Sequence, residues 1–366
     1  MKLNVMLLMV LFFSWSSGSA AAKETQVRIG VIAPLTGNGA HIGAEITRTL
    51  KLWARTRKAE TGTAYSIIFE DGHAATDNSP TTAFRKLSGA DGVRFLIIAT
   101  SGEMLQAAPL AQAGGVLVFG VFASHAQIKK LGDYIFRTFP DVENGAAMLA
   151  GYMREQQDCP VALLTEDHPF NRGMKILLEQ HLAGDLVFKE DYAFEERDLK
   201  PLLLRAKSKK PKAYYFNCSH PVTCALLVNQ TRQLGIPERL NSYLHIDNPE
   251  FLQAAGQNAE GMRFLATPDV GDSSAGFKQF LAQYRWEYGH EPKNDFLTRT
   301  TYDAATAIAD GINARGPYPE AVKSFLLSYK AQGALGKIGF NADGDIEEVK
   351  YAVKEIRGGK PVPAER

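Results

Sequence analysis

Near the start of the chain, three glycines have the spacing of a loop that could bind phosphate. Gly37, Gly39 and Gly43 follow the apolar stretch 29–33 and precede a helical pattern, which is the order of strand, glycine turn and helix used to bind dinucleotides. Pro34 stiffens the turn, and glycines also permit a tight strand-to-helix turn without any ligand. We interpret the turn as the lip of another kind of site, and a dinucleotide-dependent enzyme remains as an alternative.

Two serines, Ser101 and Ser124, stand where neighbouring strands end, at positions suited to holding a carboxylate. Each offers a hydroxyl and backbone N–H groups, and Ser101 adds the positive N-terminus of a helix. The structural alternative for Ser101 is an N-cap, in which its hydroxyl accepts a backbone N–H. Serines at two adjacent strand ends favour a ligand site over two separate caps.

Asp247, in the segment 243-YLHIDNPEF-251, is the acid that could pair with a ligand ammonium. Its alternative role is to cap the helix that begins near Pro249. Phe170 is either part of the core or an apolar wall of a pocket. No G-x-S-x-G motif occurs, no nucleophile has a histidine base beside it, and no carboxylate pair suits acid–base work. The pattern indicates binding and gives no support for an enzyme.

Short apolar strands alternate with amphipathic helices through residues 27–246, which predicts parallel sheets covered by helices. The first unit has strands predicted at 27–33, 65–70, 93–99, 116–122 and 134–138. A second doubly wound unit begins at Val142, the pattern becomes mainly helical after Pro268, and Asp343-Gly344 predicts a hairpin turn. In such sheets ligands bind at the carboxyl ends of the strands, where the two serines and the aspartate are expected.

The first residues have the pattern of a secretory signal peptide. A weakly basic start precedes the apolar run 5–13, which is too short to span a bilayer. Ala20 and Ala22 then form an A-x-A cleavage pattern. We predict that residues 1–22 are removed and that the mature protein is exported.

Composition and charge exclude several classes of partner. The 41 basic and 40 acidic residues leave a formal net charge of +1, which is not the electrostatic footprint of a nucleic-acid-binding protein. Neither the three cysteines nor the eight histidines have the spacing of a metal site, so no metal or cofactor is expected. Cys218 and Cys224 are either bridged or free in an oxidising compartment, and Cys159 is left over.

Several segments of the mature chain form an ordered set. They are 30-GVIAPLTGNGAHIG-43, 70-EDGHAATDNS-79, 101-SGEMLQAAPLAQAGGVLVFGVFAS-124, 134-YIFRTFPD-141, 167-DHPFNRG-173, 219-SHP-221, 259-AEG-261, 301-TYDAA-305 and 340-FNADGD-345. The set resembles the type I periplasmic solute-binding proteins of ABC importers, and most of all their leucine/isoleucine/valine-binding group. No single segment is specific, but together they cover essentially the whole mature chain.

The resemblance implies an α/β fold with two doubly wound lobes, the type I periplasmic binding protein fold. Three hinge crossovers join the lobes, and the ligand cleft lies between them. We place the N-terminal lobe at residues 25–141 plus 270–334. The C-terminal lobe takes residues 142–269 plus 335–366.

The resemblance also assigns ligand contacts position by position. Ser101 and Ser124 match hydroxyls that hold the carboxylate and ammonium of an amino acid. Phe122 and Ala123 match neighbouring backbone contacts, and Asp247 matches the acid that neutralises the ammonium.

Three further positions of the implied site depart from the family pattern. Ile42, Phe170 and Ser219 each stand where a tyrosine is usual in the family. Smaller walls would admit a bulkier side chain or a solute that is not an amino acid.

The function implied by the resemblance is that of an exported, monomeric binding protein that delivers a small carboxylate-bearing solute to an inner-membrane ABC permease. A branched-chain or other apolar amino acid is the expected solute, and an amide or an aromatic acid is the alternative. A ligand sensor or chemoreceptor partner with the same fold is a further alternative.

Overall fold

The structure of the protein is a computed structural model that describes residues 26–267, 270 and 273–365. The predicted signal peptide, residues 1–22, lies outside the described residues. The strands, in chain order, are β1 (Gln26–Ala33), β2 (Ala64–Asp71), β3 (Phe95–Thr100), β4 (Leu117–Phe122), β5 (Ile135–Arg137), β6 (Val161–Glu166), β7 (Leu186–Tyr192), β8 (Ala213–Asn217), β9 (Arg239–Tyr243), β10 (Arg263–Ala266), β11 (Ala331–Gly333), β12 (Gly336–Ile338), β13 (Ala352–Arg357) and β14 (Lys360–Pro363).

The α-helices connect these strands and cover both faces of the sheets. In chain order they are α1 (Ala40–Thr61), α2 (Ser79–Arg85), α3 (Ser101–Gly114), α4 (Val142–Glu155), α5 (Pro169–His181), α6 (Lys200–Ser208), α7 (Pro221–Gln233), α8 (Pro249–Ala255), α9 (Ala275–Tyr288), α10 (Asp295–Arg315) and α11 (Pro319–Leu326). In the described part of the chain, none of them has both the length and the apolar character that a membrane crossing requires.

The first sheet has the order β2-β1-β3-β4-β5 and is parallel throughout. Its central strands are continuous apolar runs such as 95-FLIIA-99, which is buried along its whole length. Such runs are typical of parallel strands that have helices on both faces. The carboxyl ends of β1, β3 and β4 therefore lie along one edge of this sheet.

The second sheet has the order β14-β13-β10-β9-β8-β6-β7. Strands β6 to β10 are parallel, and β13 and β14 add to the edge in antiparallel pairing. The two sheets are the bases of two lobes, so the predicted α/β fold with two doubly wound lobes is confirmed.

The chain changes lobe between β5 and α4, between β10 and α9, and between β12 and β13. After the second change, helices α9 to α11 return to the first lobe, where Thr298 of α10 donates to the buried carboxylate of Glu45 in α1 at 2.9 Å. Each lobe is therefore built from separate stretches of the chain.

The last of these changes lies later in the chain than the boundary that the sequence suggested. Phe340 packs against Phe119 and Phe136 of the first lobe, with ring centroids 5.4 and 5.5 Å away. Asp345 forms a buried ion pair with Arg137 of β5. We therefore propose that the third crossing follows Asp345, whereas the sequence placed it at residue 335.

Candidate ligand-binding site

The carboxyl ends of the strands in the two sheets face each other. Ser124 follows β4 of the first lobe and Tyr243 ends β9 of the second lobe, yet their hydroxyls are only 3.3 Å apart. The hydroxyl of Tyr243 is also 2.8 Å from that of Tyr351, which donates to the carbonyl of Pro140 at 3.0 Å. These polar contacts join both lobes to the first crossing and mark the inner end of the cleft.

Ser101 lies at the first-lobe edge of this cleft and orders the loop after β4. Its Oγ accepts the backbone N–H of Ser124 at 3.1 Å and that of His125 at 3.3 Å. Two accepted bonds occupy both lone pairs of the hydroxyl. Its proton is therefore available to donate to a ligand.

The N-cap of α3 is Thr100, one residue before the position that the sequence suggested. Thr100 and Glu103 form a capping box, in which the threonine hydroxyl accepts the N–H of Glu103 and the glutamate accepts the N–H of Thr100 at 2.9 Å. Because Thr100 caps the helix, Ser101 is released from that task. Burial raises the pKa of Glu103 to about 7.

Three other expected site residues of the first lobe lie near this edge but contribute differently. Ala123 is fully buried, so its side chain packs in the core and only its backbone can face a ligand. Phe122 is partly buried and packs edge-to-face on Phe139 at 5.1 Å. Ile42 is partly buried in the first turn of α1.

The second lobe contributes an aromatic wall of Phe170, Tyr243 and His245. The centroid of Phe170 lies 5.4 Å from that of Tyr243 and 5.8 Å from that of His245, and the latter two are 5.6 Å apart. His168 supports this wall, because its Nδ1 accepts the N–H of Phe170 at 3.3 Å and caps α5. The sequence analysis named Phe170 as a possible pocket wall and did not assign Tyr243 or His245 to the site, although both lie in the segment 243–251 that it singled out for Asp247.

Histidines from both lobes converge on this wall. Burial is the largest of the causes that lower the pKa of His245 to about 3, and the charges of His168, His41 and His220 are the others. His41 is on α1 of the first lobe, so part of this coupling acts across the cleft. At neutral pH the ring of His245 is uncharged and belongs with the aromatic rings beside it.

Ser219 is turned toward a buried acid. Its hydroxyl donates to Oε1 of Glu166 at 2.5 Å, and its N–H is 3.4 Å from the same oxygen. Burial raises the pKa of Glu166. Cys218 and Cys224 form a disulfide with Cα atoms 5.6 Å apart, which encloses this loop and settles the alternative left open by the sequence.

Asp247 has a basic partner on another strand. It is exposed, and its carboxylate is 3.5 Å from Nζ of Lys354 on β13. The helix that follows is capped by Asn248, which accepts the N–H of Glu250 at 2.7 Å. The contacts of Asp247 thus direct it toward the β13 side of the second sheet.

The glycine turn is held by an acid. Asp71 accepts the N–H of Leu35 at 2.9 Å and the hydroxyl of Thr36 at 2.5 Å. A Cβ at Gly43 would overlap the carbonyl of Pro34. The turn therefore needs this glycine for close packing, and the carboxylate bound to it disfavours a phosphate by charge repulsion.

Other polar clusters have structural partners. Within the residues that the structure describes, no group of three His, Cys, Asp or Glu side chains is placed to hold a metal ion. A cavity of about 190 Å³ lies in the first lobe between α1, α10 and β11. Its buried Asp303 accepts the N–H groups of Ala334 and Leu335 at 2.7 and 2.8 Å, so this acid serves the β11–β12 turn.

The chain is similar to known proteins over most of its length. The family model described as periplasmic binding protein matches residues 26–360. The leucine-, isoleucine-, valine-, threonine-, and alanine-binding protein of Pseudomonas aeruginosa is 26% identical over 355 residues, which cover 93% of this chain and 92% of that protein.

Two solved structures show a similar fold. A leucine-binding protein from Thermotoga maritima has a TM-score of 0.79 at 21% identity and covers 93% of this chain and 98% of its own. A solute-binding protein of an ABC transporter from R. palustris, in complex with 4-hydroxybenzoate, has a TM-score of 0.79 at 17% identity and covers 93% of this chain and 96% of its own.

Proposed function

The chain belongs to the periplasmic binding protein family, and on this premise we propose that it is the exported solute-binding component of an ABC importer. It captures a small carboxylate-bearing solute in the cleft between its lobes and passes it unchanged to an inner-membrane permease. It acts as a monomer, in the periplasm, after cleavage of its signal peptide.

The observation that carries this proposal is the bonding of Ser101. Its hydroxyl accepts two N–H groups from the loop after β4 and keeps its proton for a ligand. The positive N-terminus of α3 lies at the same place. A hydroxyl donor beside a helix N-terminus suits a carboxylate, and the neutral rings of the second lobe suit an apolar body.

The mechanism is closure of the lobes around the hinge. A solute held by the first lobe gains the aromatic wall of the second lobe when the cleft closes, and the closed surface is what the permease recognises. An affinity in the micromolar range corresponds to about −8 kcal/mol, which a few charge-assisted hydrogen bonds and apolar burial can supply.

Two classes of solute fit the carboxylate grip, by which we mean the hydroxyl of Ser101 and the N-terminus of α3. An apolar amino acid, such as a branched-chain one, needs an acid or several acceptors for its ammonium, and Asp247 is the residue matched to that role. The pairing of Asp247 with Lys354 favours the second class, which has a carboxylate and an apolar or aromatic body but no ammonium.

A matched panel of solutes tests the function and separates these classes. The pairs are L-leucine with 4-methylpentanoate and L-phenylalanine with 3-phenylpropanoate. We expect one member of each pair to raise the temperature of thermal unfolding, because a ligand of the native state stabilises it. No shift with any carboxylate at millimolar concentration would contradict the proposal.

The variant Asp247→Ala gives the second arm of this test. If Asp247 neutralises a buried ammonium, the variant loses roughly 2 kcal/mol of binding free energy for the amino acid. Calorimetric titration that gives unchanged affinity removes Asp247 from the site. The deaminated acids serve as the internal control, since their affinity does not depend on this carboxylate.

A further inference from the structure

Gly173 stands in the interior of α5, in the second lobe. Glycine in a helix interior is less favourable than alanine by about 1 kcal/mol. Its backbone here is helical and would accept alanine without strain. The absence of a side chain at this position therefore needs a cause outside the helix.

The cause is an imidazole of the first lobe. A Cβ at position 173 would overlap Nε2 of His125 and would lie 2.6 Å from its Cδ2 and 3.3 Å from its Cε1. Carbon atoms in normal contact are about 3.5–4.0 Å apart. A methyl group at this position therefore requires that either the imidazole or the two lobes move.

Two backbone bonds fix His125 to the first lobe, and a third bond holds its ring. Its N–H donates to Ser101 Oγ at 3.3 Å, and its carbonyl accepts Nη1 of Arg137 at 3.0 Å. Its Nδ1 accepts the N–H of Gln127 at 3.2 Å, which places the proton of the neutral ring on Nε2. Because rotation of the ring would break its bond to Gln127, we infer that a larger residue at 173 is accommodated by moving the lobes apart.

This contact lies next to both halves of the candidate site. His125 follows Ser124 and shares the hydroxyl of Ser101 with it. Gly173 is one turn along α5 from Phe170, a member of the aromatic wall. The distance between the carboxylate grip and the wall therefore depends on how closely His125 approaches α5.

We propose that the contact between the His125 ring and Gly173 on α5 limits how far the two lobes close. We call this contact the closing stop. Gly173 is a positioning residue for binding, since it acts through the lobe separation and without touching the solute. The inference rests on the proposed function only for its binding readout.

Four variants of the mature protein test this: Gly173→Ala, His125→Ala, the double variant, and Gly151→Ala. Gly151 is the matched control, because it lies within α4 of the same lobe and a Cβ there meets nothing within 4 Å. Small-angle X-ray scattering is measured for each, alone and with saturating L-leucine or benzoate. Calorimetric titrations with the same two probes follow.

We expect Gly173→Ala to increase the radius of gyration and to weaken binding of whichever probe binds by about tenfold, the fold-change equivalent to 1.4 kcal/mol. The double variant should give the wild-type scattering curve, because without the imidazole the added methyl group at position 173 meets no ring. Gly151→Ala should match the wild type throughout.

Identical scattering of Gly173→Ala and wild type under all conditions overturns the inference. A double variant whose radius of gyration stays larger than that of the wild type also overturns it. If the wild type binds neither probe, the proposed solute class is put in doubt, while the scattering of the four variants still decides whether the stop exists.

Discussion

At the scale of single residues, the site depends on hydroxyls that have more than one partner. Ser101 accepts the N–H groups of Ser124 and His125, and in the proposed site it donates its proton to the ligand. Ser219 gives its proton to Glu166 instead. The two serines follow comparable strand ends but differ in what they can donate. Ser101 can donate its proton to a ligand, whereas the proton of Ser219 is already donated to Glu166.

The first residue-scale prediction concerns Ser101→Ala. The variant removes a donor to the solute, which costs roughly 1–3 kcal/mol of binding free energy. It also leaves the N–H groups of Ser124 and His125 without their acceptor. Calorimetry with a solute identified in the panel measures this. Ser324→Ala is the control, because its exposed hydroxyl donates only to Glu320 within α11, and equal affinities of the two variants would contradict the role of Ser101.

The second residue-scale prediction concerns how the free energy of unfolding depends on pH. The pKa values of His125, His168, His220 and His245 are lowered, in each case chiefly by burial. The unfolded chain therefore binds more protons, and the free energy of unfolding falls as pH drops below about 6.5, the value of an unperturbed imidazole. His73 acts in the opposite direction, because the hydrogen bond to Asp77 raises its pKa.

Urea unfolding of wild type and His245→Gln between pH 7 and pH 5 checks this sign. We expect the variant to lose less stability over that interval, because the pKa of His245, lowered to about 3, lies below it. His290→Gln changes an exposed histidine and serves as control. A wild-type stability that rises on acidification would contradict the prediction.

At the scale of elements, the loop between β8 and α7 is held by a covalent link. The disulfide of Cys218 and Cys224 encloses Ser219 and His220, so this loop keeps its position beside Glu166. The variant Cys218→Ala/Cys224→Ala should lose about 2 kcal/mol of stability, since the unfolded chain regains the entropy of a short loop.

Denaturant unfolding measures that loss, with Cys159→Ala, a free and partly buried cysteine, as control. A double variant as stable as Cys159→Ala would show that the loop is held by its hydrogen bonds alone.

The elements themselves could be predicted well from the sequence. The strand predicted at 65–70 is Ala64–Asp71, and the one predicted at 116–122 is Leu117–Phe122. Continuous apolar runs between turn residues define such strands, because each is buried on both faces. The Asp343-Gly344 turn also forms, but its flanks pair only through Phe340 and Ile346, since the chain then leaves for the second lobe.

The partners of the site residues could not be predicted. Lys354 reaches Asp247 because β13 pairs antiparallel with β10, and no local pattern indicates this order. The proton of Ser219 is taken by Glu166, 53 positions earlier in the chain. Such pairings depend on which strands are neighbours, so the contacts of these residues could not be predicted, and their role in binding a ligand stays a prediction.

At the scale of the whole molecule, one buried arginine joins the parts that meet at the hinge. Arg137 ends β5, pairs with Asp345 at the proposed third crossing and with Asp141 at the first, and donates to the carbonyl of His125. Its side chain is 1% exposed. The carboxylates raise the pKa of this guanidinium, although its burial acts in the other direction.

Arg137→Met should therefore reduce the free energy of unfolding by about 3–5 kcal/mol, because it leaves buried carboxylates without a counter-charge. Arg205→Met is the control, since its pair with Glu190 is exposed and such pairs contribute little. Chemical denaturation that gives similar losses for both variants would contradict the central position of Arg137.

The divided lobes have a consequence for the order of synthesis. The buried carboxylate of Glu45 accepts a hydrogen bond from Thr298, which lies 253 positions later in the chain. The ion-pair partner of Arg137, Asp345, lies 208 positions later. A ribosome has therefore to make most of the polypeptide before these buried groups of the N-terminal half acquire their partners. Completion of the first lobe is thus a late event in synthesis.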